Sequence, residues 1–180
     1  PMETMLQETI KAIIGFDELK IGNKGGVFFA DTEQRVLRLY TCVGEFPKGF
    51  LEKEVPFGEC LCGSSADLGE TLISHDSFSD TRHNRRFAGL TVRGHYIIPL
   101  KSRGKLVGLL FLYTDRNPPW YERSKEILCS IGNLIADAIE YRWREEQILR
   151  TNKLLAETNK QLQDLNHLKN EFLGIAAHDL

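Results

Sequence analysis

Two groups of residues in this 180-residue chain carry side chains that do chemistry. One is the dipeptide His178-Asp179 near the C-terminus. The other is Cys60-Leu-Cys62, with His83 and His95 following. An exposed imidazole can attack the γ-phosphoryl of a nucleotide, and a neighbouring carboxylate can orient the ring and accept its other proton. Two thiols one residue apart on an extended segment can lie on the same side and chelate one ion. Thiolate and imidazole are the ligand types favoured by zinc and by mononuclear iron. Cys60, Cys62, His83 and His95 therefore form the candidate ligand or metal site, with His75, Asp76 and Asp80 as supporting or replacement ligands. Plainer readings stand beside this one. The cysteines could be a thiol redox pair without metal, or small buried hydrophobes near a satisfied core histidine, His95. Arg82, Arg85 and Arg86 could clamp an anion or be a solvated cover. Cys42 and Cys129, in a predicted strand and helix, read as packing.

The element that must position His178 is the last third of the chain. From Trp120 to Leu180 there is no proline, and the only glycines are Gly132 and Gly174. Its Glu, Lys, Leu, Gln, Ala and Arg content predicts one long helix or two nearly continuous ones, roughly 90 Å at 1.5 Å per residue. Ile127, Ile131, Leu134, Ile135, Ala138 and Ile139 step by three and four, a stripe suited to packing on a domain. Beyond Trp143 the stripe narrows to Ile148, Leu155 and Leu162 at seven-residue spacing. That is a coiled-coil seam, weakened by Thr151 and Thr158 at the alternate positions, and the partner it implies is a second copy of the chain. Leu162, Leu165, Leu168, Phe172 and Ile175 then include two successive steps of three, which would overwind a supercoil locally. Such a seam suits a conformational relay, or is an ordinary imperfect coiled coil.

The helix ends in Asn170-Glu-Phe-Leu-Gly-Ile-Ala-Ala-His178-Asp179-Leu180. This resembles the phosphoacceptor box of sensor histidine kinases, a helix carrying a His followed by an acidic residue. The resemblance implies His178 as phosphoacceptor, Asp179 as orienting carboxylate, and a response-regulator receiver domain as downstream partner. The box normally continues with Arg and Pro and leads to an ATP-binding domain, and neither follows here. ATP would enter only through that missing domain, so this stretch is not expected to phosphorylate itself.

Composition bounds the rest. With 42% hydrophobic content and a formal charge of −2, the chain fits one globular domain plus an appendage and has no strong affinity for nucleic acid. No apolar run reaches the length of a membrane span, and no signal peptide is evident. Four cysteines without a dense framework fit a reducing compartment, and a cytoplasmic location is expected. Pro1 is not a natural start, so the expectation is a trimmed piece whose parent could carry membrane segments.

In chain order, Met5, Leu6, Ile10, Ile13 and Ile14 predict a first helix over 2–14, closed near Gly15. Gly25-Gly26 leads into a strand at 27–30, and a turn at 31–34 into a second at 36–43. A loop with one helical turn around Phe50 is expected between Gly44 and Gly58, then a short helix over 64–71 and a short strand at 72–73. Residues 76–92 read as a mobile surface segment. A strand at 95–100, a tight turn at 101–105 and a buried strand at 106–113 precede the long helix. This order predicts an α+β fold with an antiparallel sheet.

The run Cys62-Gly63, Ala66, Gly69-Glu70, Asp76, Tyr96-Ile-Ile-Pro99-Leu100 and Gly104-Lys-Leu-Val-Gly108-Leu-Leu-Phe-Leu resembles a GAF domain over roughly 1–142. Residues 143–169 then form a coiled-coil signalling helix, and 170–180 the start of the phosphoacceptor helix. The resemblance implies five or six antiparallel strands with the terminal helices on one face. The other face, under loops and a short helix, holds a small-molecule or cofactor pocket. It places Cys62 at the N-terminus of that short helix, where the helix dipole should depress its thiol pKa. Bilin attachment is disfavoured because no Cys-His dipeptide occurs, and haem through His83 or His95 has no attachment motif.

Two functions follow. The first is a regulatory input module relaying ligand, metal or redox state through a parallel homodimer to His178. The second is a thiol redox enzyme similar to the free methionine sulfoxide reductases, with Cys60 and Cys62 as nucleophile and resolving thiol.

Overall fold

The computed structural model describes residues 1–46, 54–83, 94–115 and 122–178, and they divide into two compact units at Glu140/Tyr141. The expected helical turn at Phe50 lies outside the described residues, as do Arg85, Arg86 and Asp179.

The first unit opens with α1 (Met2–Ile14), which buries Met2, Leu6, Ile10 and Ile13 as its spacing predicts. Six strands follow: β1 (Ile21–Asp31), β2 (Val36–Val43), β3 (Glu54–Pro56), β4 (Leu72–Ser74), β5 (Gly94–Ser102) and β6 (Lys105–Thr114). A helix α2 (Cys60–Leu68) precedes β4, and α3 (Glu122–His178) ends the chain. The sheet order is β3-β2-β1-β6-β5-β4, antiparallel at every junction.

Period-two alternation splits the core between the two faces. Val27, Tyr96, Ile98, Leu100, Leu110 and Leu112 form one cluster with Leu6 and Ile10 of α1 and Leu128, Ile135 and Ile139 of α3. Phe28, Leu37, Ile97, Leu109, Phe111 and Tyr113 form the other, with Leu61 and Ala66 of α2. Ser102 Oγ donates to Asp137 Oδ1 at 2.6 Å, adding a polar tie between β5 and α3.

Three elements depart from the sequence reading. β1 starts at Ile21, so Gly25 and Gly26 are strand residues and not a lead-in. A Cβ on Gly26 would stand 2.6 Å from the Phe111 ring, so the glycine is what lets that ring pack against β1. β3 was not anticipated, because three residues carry no readable period.

α2 begins at Cys60, four residues early. Its first turn is wound tightly against the end of β3: Gly58 N donates to Gly63 O (2.8 Å) and Gly63 N to Glu59 O (3.0 Å). Cys60 sits in the left-handed region at φ 55°. A Cβ on Gly63 would lie 2.1 Å from the Pro56 carbonyl oxygen. Gly63→Ala is therefore expected to cost roughly 2–4 kcal/mol, as a clash with backbone that cannot swing aside. A shift of the urea midpoint equivalent to under 0.5 kcal/mol would show the turn to be loose.

The second unit is the continuation of α3 from Tyr141. Every described side chain in it is exposed, including Ile148, Leu155, Leu162, Leu165 and Leu168. Arg142–Glu145 (2.9 Å) and Arg150–Glu146 (3.7 Å) are surface pairs worth a few tenths of a kcal/mol. His178 is the last residue of α3. No helix among the described residues is long and apolar enough to cross a membrane.

Candidate functional site

The α2 face of the sheet carries a polar group at its β4–β5 end. His95 on β5 pairs with Ser74 on β4 and with Tyr113 on β6. Alternation puts its ring on the same face as Tyr113, whose ring it meets edge-on at 4.3 Å and 84°. His95 is 5% exposed. Its Nε2 is sealed from solvent and has no hydrogen-bond partner among the described residues. A buried polar atom left in that state costs on the order of 1–3 kcal/mol.

Over His95 lies the ring of His83, stacked at 5.3 Å and 29°. It is held there by the turn after β4. Asp76 Oδ1 accepts from Phe78 N (2.8 Å), Asp80 N donates to Asp76 O (3.0 Å), and His83 N donates to Asp80 O (2.9 Å). This part of the segment expected to be mobile is thus a folded turn. Arg82 donates to both Asp80 carboxylate oxygens (2.9 and 2.7 Å) and to Ile73 O (2.8 Å). Arg82 was a candidate anion clamp, but its guanidinium binds the chain's own carboxylate.

The electrostatics follow from these contacts. Hydrogen bonding from Arg82 holds the Asp80 carboxyl down at about 2, against a smaller opposing effect of burial. Burial pushes His95 down to about 3. The charge of a protonated His83 adds to this, and Asp80 works against it. His95 is therefore a neutral imidazole at any ordinary pH.

The cysteines behave differently from the expectation. Cys60 is buried, Cys62 is half-buried, and Cys62 packs against the α2-face cluster. Burial raises the Cys62 thiol well above its ordinary value, and the neighbouring Cys60 raises it further. The expected depression by the helix dipole is overturned, because desolvation of a thiolate in an apolar cluster outweighs half a charge at the end of a nine-residue helix. Cys42 is raised by burial too. Cys129 does more than pack: its Sγ lies 3.3 Å from Thr71 Oγ1, beside a cleft of about 430 Å³ that Lys101 and Lys125 also line.

Of the four predicted ligands, the structure brings His83 and His95 together and leaves Cys60 and Cys62 on α2. Among the described residues no group of three or more His, Cys, Asp or Glu is arranged to hold a metal ion. His83 and His95 meet by their faces, whereas ligation of a shared ion needs nitrogens that converge. Sequence reasoning missed Tyr113 and Phe46, whose ring stands edge-on to Tyr113 (5.8 Å) and to Phe111 (6.0 Å). The alternation of Leu109, Phe111 and Tyr113 was the available signal for the first. Phe46, in a loop, had none.

Residues 1–140, which hold the six-stranded antiparallel sheet, match a family model described as GAF domain. The chain belongs to the GAF domain family. Solved GAF structures share the fold at low identity. One is the GAF domain of a phosphoenolpyruvate-protein phosphotransferase from Coxiella burnetii, with a TM-score of 0.69 at 18% identity, covering 81% of this chain and 86% of that one. The type II free methionine-R-sulfoxide reductase from Thermoplasma acidophilum gives 0.61 at 18%, covering 76% and 90%. The free methionine-R-sulfoxide reductase of Neisseria meningitidis, solved with its substrate, gives 0.62 at 19%, covering 78% of each chain. No curated protein sequence matches the chain. The GAF fold thus serves proteins with quite different activities, and function has to be argued from this chain's own residues.

Proposed function

We propose that this GAF domain is the sensory input module of a two-component sensor histidine kinase. It relays the state of its α2-face site through a dimeric α3 to phosphoacceptor His178, with Asp179 orienting the imidazole. The observation that carries this reading is α3 itself. Its first turns supply Leu128, Ile135 and Ile139 to the GAF core, and the same helix runs unbroken to His178 past a row of exposed leucines. An effector that changes the packing of the sheet therefore acts on the helix that carries the acceptor. A response-regulator receiver domain, a cytoplasmic location and ATP bound by a separate kinase domain belong to the same proposal.

Supplied with such an ATP-binding domain and γ-labelled ATP, the chain is expected to take up acid-labile label, and His178→Gln to take up none. Uptake that survives in His178→Gln would remove the phosphoacceptor from the account.

The thiol-enzyme reading has two reductases of this fold in its favour. The site argues against it, because a resolving cysteine must also attack as the thiolate, and its apolar surroundings favour Cys62 as the thiol. No turnover of free methionine sulfoxide with a thiol reductant is expected. Turnover that disappears in Cys60→Ser or Cys62→Ser would reverse the ranking. Zinc or mononuclear iron on Cys60, Cys62, His83 and His95 is the weaker form of the sensory proposal, since these four do not assemble a three-ligand group.

A further inference from the structure

We propose that Cys129 is a site of thiol–disulfide exchange with a small disulfide whose halves carry carboxylates. Lys101 holds one of those carboxylates while the sulfur reacts.

The first support is the cleft of about 430 Å³ between the turn before β4, the end of β5 and the first turns of α3. Glu70, Thr71, Lys101, Lys125, Cys129 and Asn133 line it, and it shares no residue with the His83–His95 pair. Pockets of about 300–1,000 Å³ receive small organic ligands, and one inorganic anion would leave most of this one empty. Lys125, Cys129 and Asn133 stand four residues apart along α3, so they share the face that borders the cleft.

The second support is Lys101. It is half-buried, and its ammonium has no hydrogen bond or ion pair among the described residues. The side chain crosses Gly69, the left-handed residue that closes α2, where an added Cβ would stand 2.6 Å from Nζ. A glycine there leaves room for the ammonium at the cleft. An ammonium drawn partly out of water without an acceptor is unfavourable, and a carboxylate in the cleft supplies one. Lys101, Lys125 and Glu70 together set two positive charges against one negative. That is the inverse of a small peptide thiol with two carboxylates and one ammonium.

The third support is the sulfur. Cys60 is buried, and burial raises the thiols of Cys62 and Cys42. Attack on a disulfide is made by an accessible thiolate, so these three are poor nucleophiles. Cys129 is half-buried and borders the cleft, 3.3 Å from the Thr71 hydroxyl, which can donate to the sulfur as it takes on charge. The Cys129 thiol gives its proton to solvent, and the thiolate attacks one sulfur of the disulfide. The bond from Cys129 to that half forms, the original S–S bond breaks, and the other half leaves as a thiolate. Cys129 is oxidised and the departing half is reduced. The adduct stands next to Leu128, which is fully buried in the core, so it loads the turn that seats α3 on the sheet.

Glutathione disulfide and 2-hydroxyethyl disulfide are the probes, since both offer an S–S bond and only the first carries carboxylates. Each is incubated with the full chain at low salt, and adducts are followed by mass spectrometry with peptide mapping. Glutathione is expected at Cys129 at least about tenfold faster than at Cys42, Cys60 or Cys62. Lys101→Gln should slow that reaction about fivefold, leave the neutral reagent within about twofold, and lose most of its effect in high salt. Lys101→Arg keeps the charge and should keep the rate. A Lys101→Gln chain that had lost its fold would instead open Cys60 and Cys62 to both reagents, which the peptide map reads directly. In that event the unaltered chain decides, and a glutathione rate that does not fall with salt relative to the neutral one overturns the proposal. So does first reaction at another cysteine, an equal effect of Lys101→Gln on both reagents, or no glutathione adduct at Cys129.

Discussion

The full chain is expected to be a dimer at micromolar concentration, and the chain ending at Glu140 a monomer at every concentration at which it stays in solution. The reason is that the second unit has no fold of its own to rest on. From Tyr141 onward every described side chain is exposed, with Leu155 at 55% and Leu162 at 53%. Helices in proteins draw most of their stability from packing an apolar face, and surface ion pairs at three- and four-residue spacing add only tenths of a kcal/mol. Ile148, Leu155 and Leu162 recur every seven residues, which is the pattern by which a second identical helix covers such a face. Each leucine removed from water contributes roughly 2 kcal/mol, so the row from both copies outweighs the cost of association. Removing residues 141–180 should weaken self-association by at least about a thousandfold. Sedimentation equilibrium on the two lengths measures this directly. The full chain found as a monomer at high micromolar concentration, or equal association of both lengths, would end the relay account. Helicity of the full chain should fall on dilution in step with dissociation, because helix and dimer form together.

The second large effect is acid sensitivity centred on His95. Its ordinary pKa of 6.5 falls to about 3 in the folded domain because burial disfavours the charged ring. Between those values the unfolded chain binds the proton and the folded domain does not, so stability rises with pH across that window. The contribution is complete above pH 6.5 and drains away as pH falls towards 3. It amounts to about 2–3 kcal/mol by pH 4.5, a large part of a typical domain's margin. His95→Phe has no such proton, so its urea midpoint should change far less between pH 7.5 and 4.5 than that of the unaltered chain. Parallel loss in both, within about 0.5 kcal/mol, would show that His95 does not hold its depressed pKa. Asp80 acts in a separate window. Its carboxyl is held at about 2 by Arg82, so its contribution is lost only as pH falls below the ordinary 3.8.

How much of this was legible beforehand varies along the chain with the kind of signal each element carries. α1, β2 and the β5–β6 hairpin came out at or near their expected boundaries. Each is a run long enough to display a period: 3.6 in Met2–Ile14, and turn residues between apolar runs elsewhere. α2 was misplaced because Gly63 reads locally as loop, and only the approach of Pro56 O explains why a glycine sits inside a helix there. The histidines were picked out by residue type, but their relation was not. His83 and His95 are twelve positions apart, and they stack because the Asp76–Asp80–His83 hydrogen bonds fold one back over the other. Likewise, Arg82 looked like an anion clamp until Asp80 took up its guanidinium.

The sequence by itself therefore determined the α+β order and the long helix with its apolar row, because periodicity and turn chemistry are local properties that need no partner to be read, and the family through the resemblance its motifs carry. The tertiary structure alone decided that Cys62 is a half-buried thiol with a raised rather than a lowered pKa, that His95 is neutral with a nitrogen unpartnered among the described residues, and that Tyr113 meets its ring edge-on. Those facts depend on desolvation and on contacts between distant segments, and neither is written in any single stretch of chain.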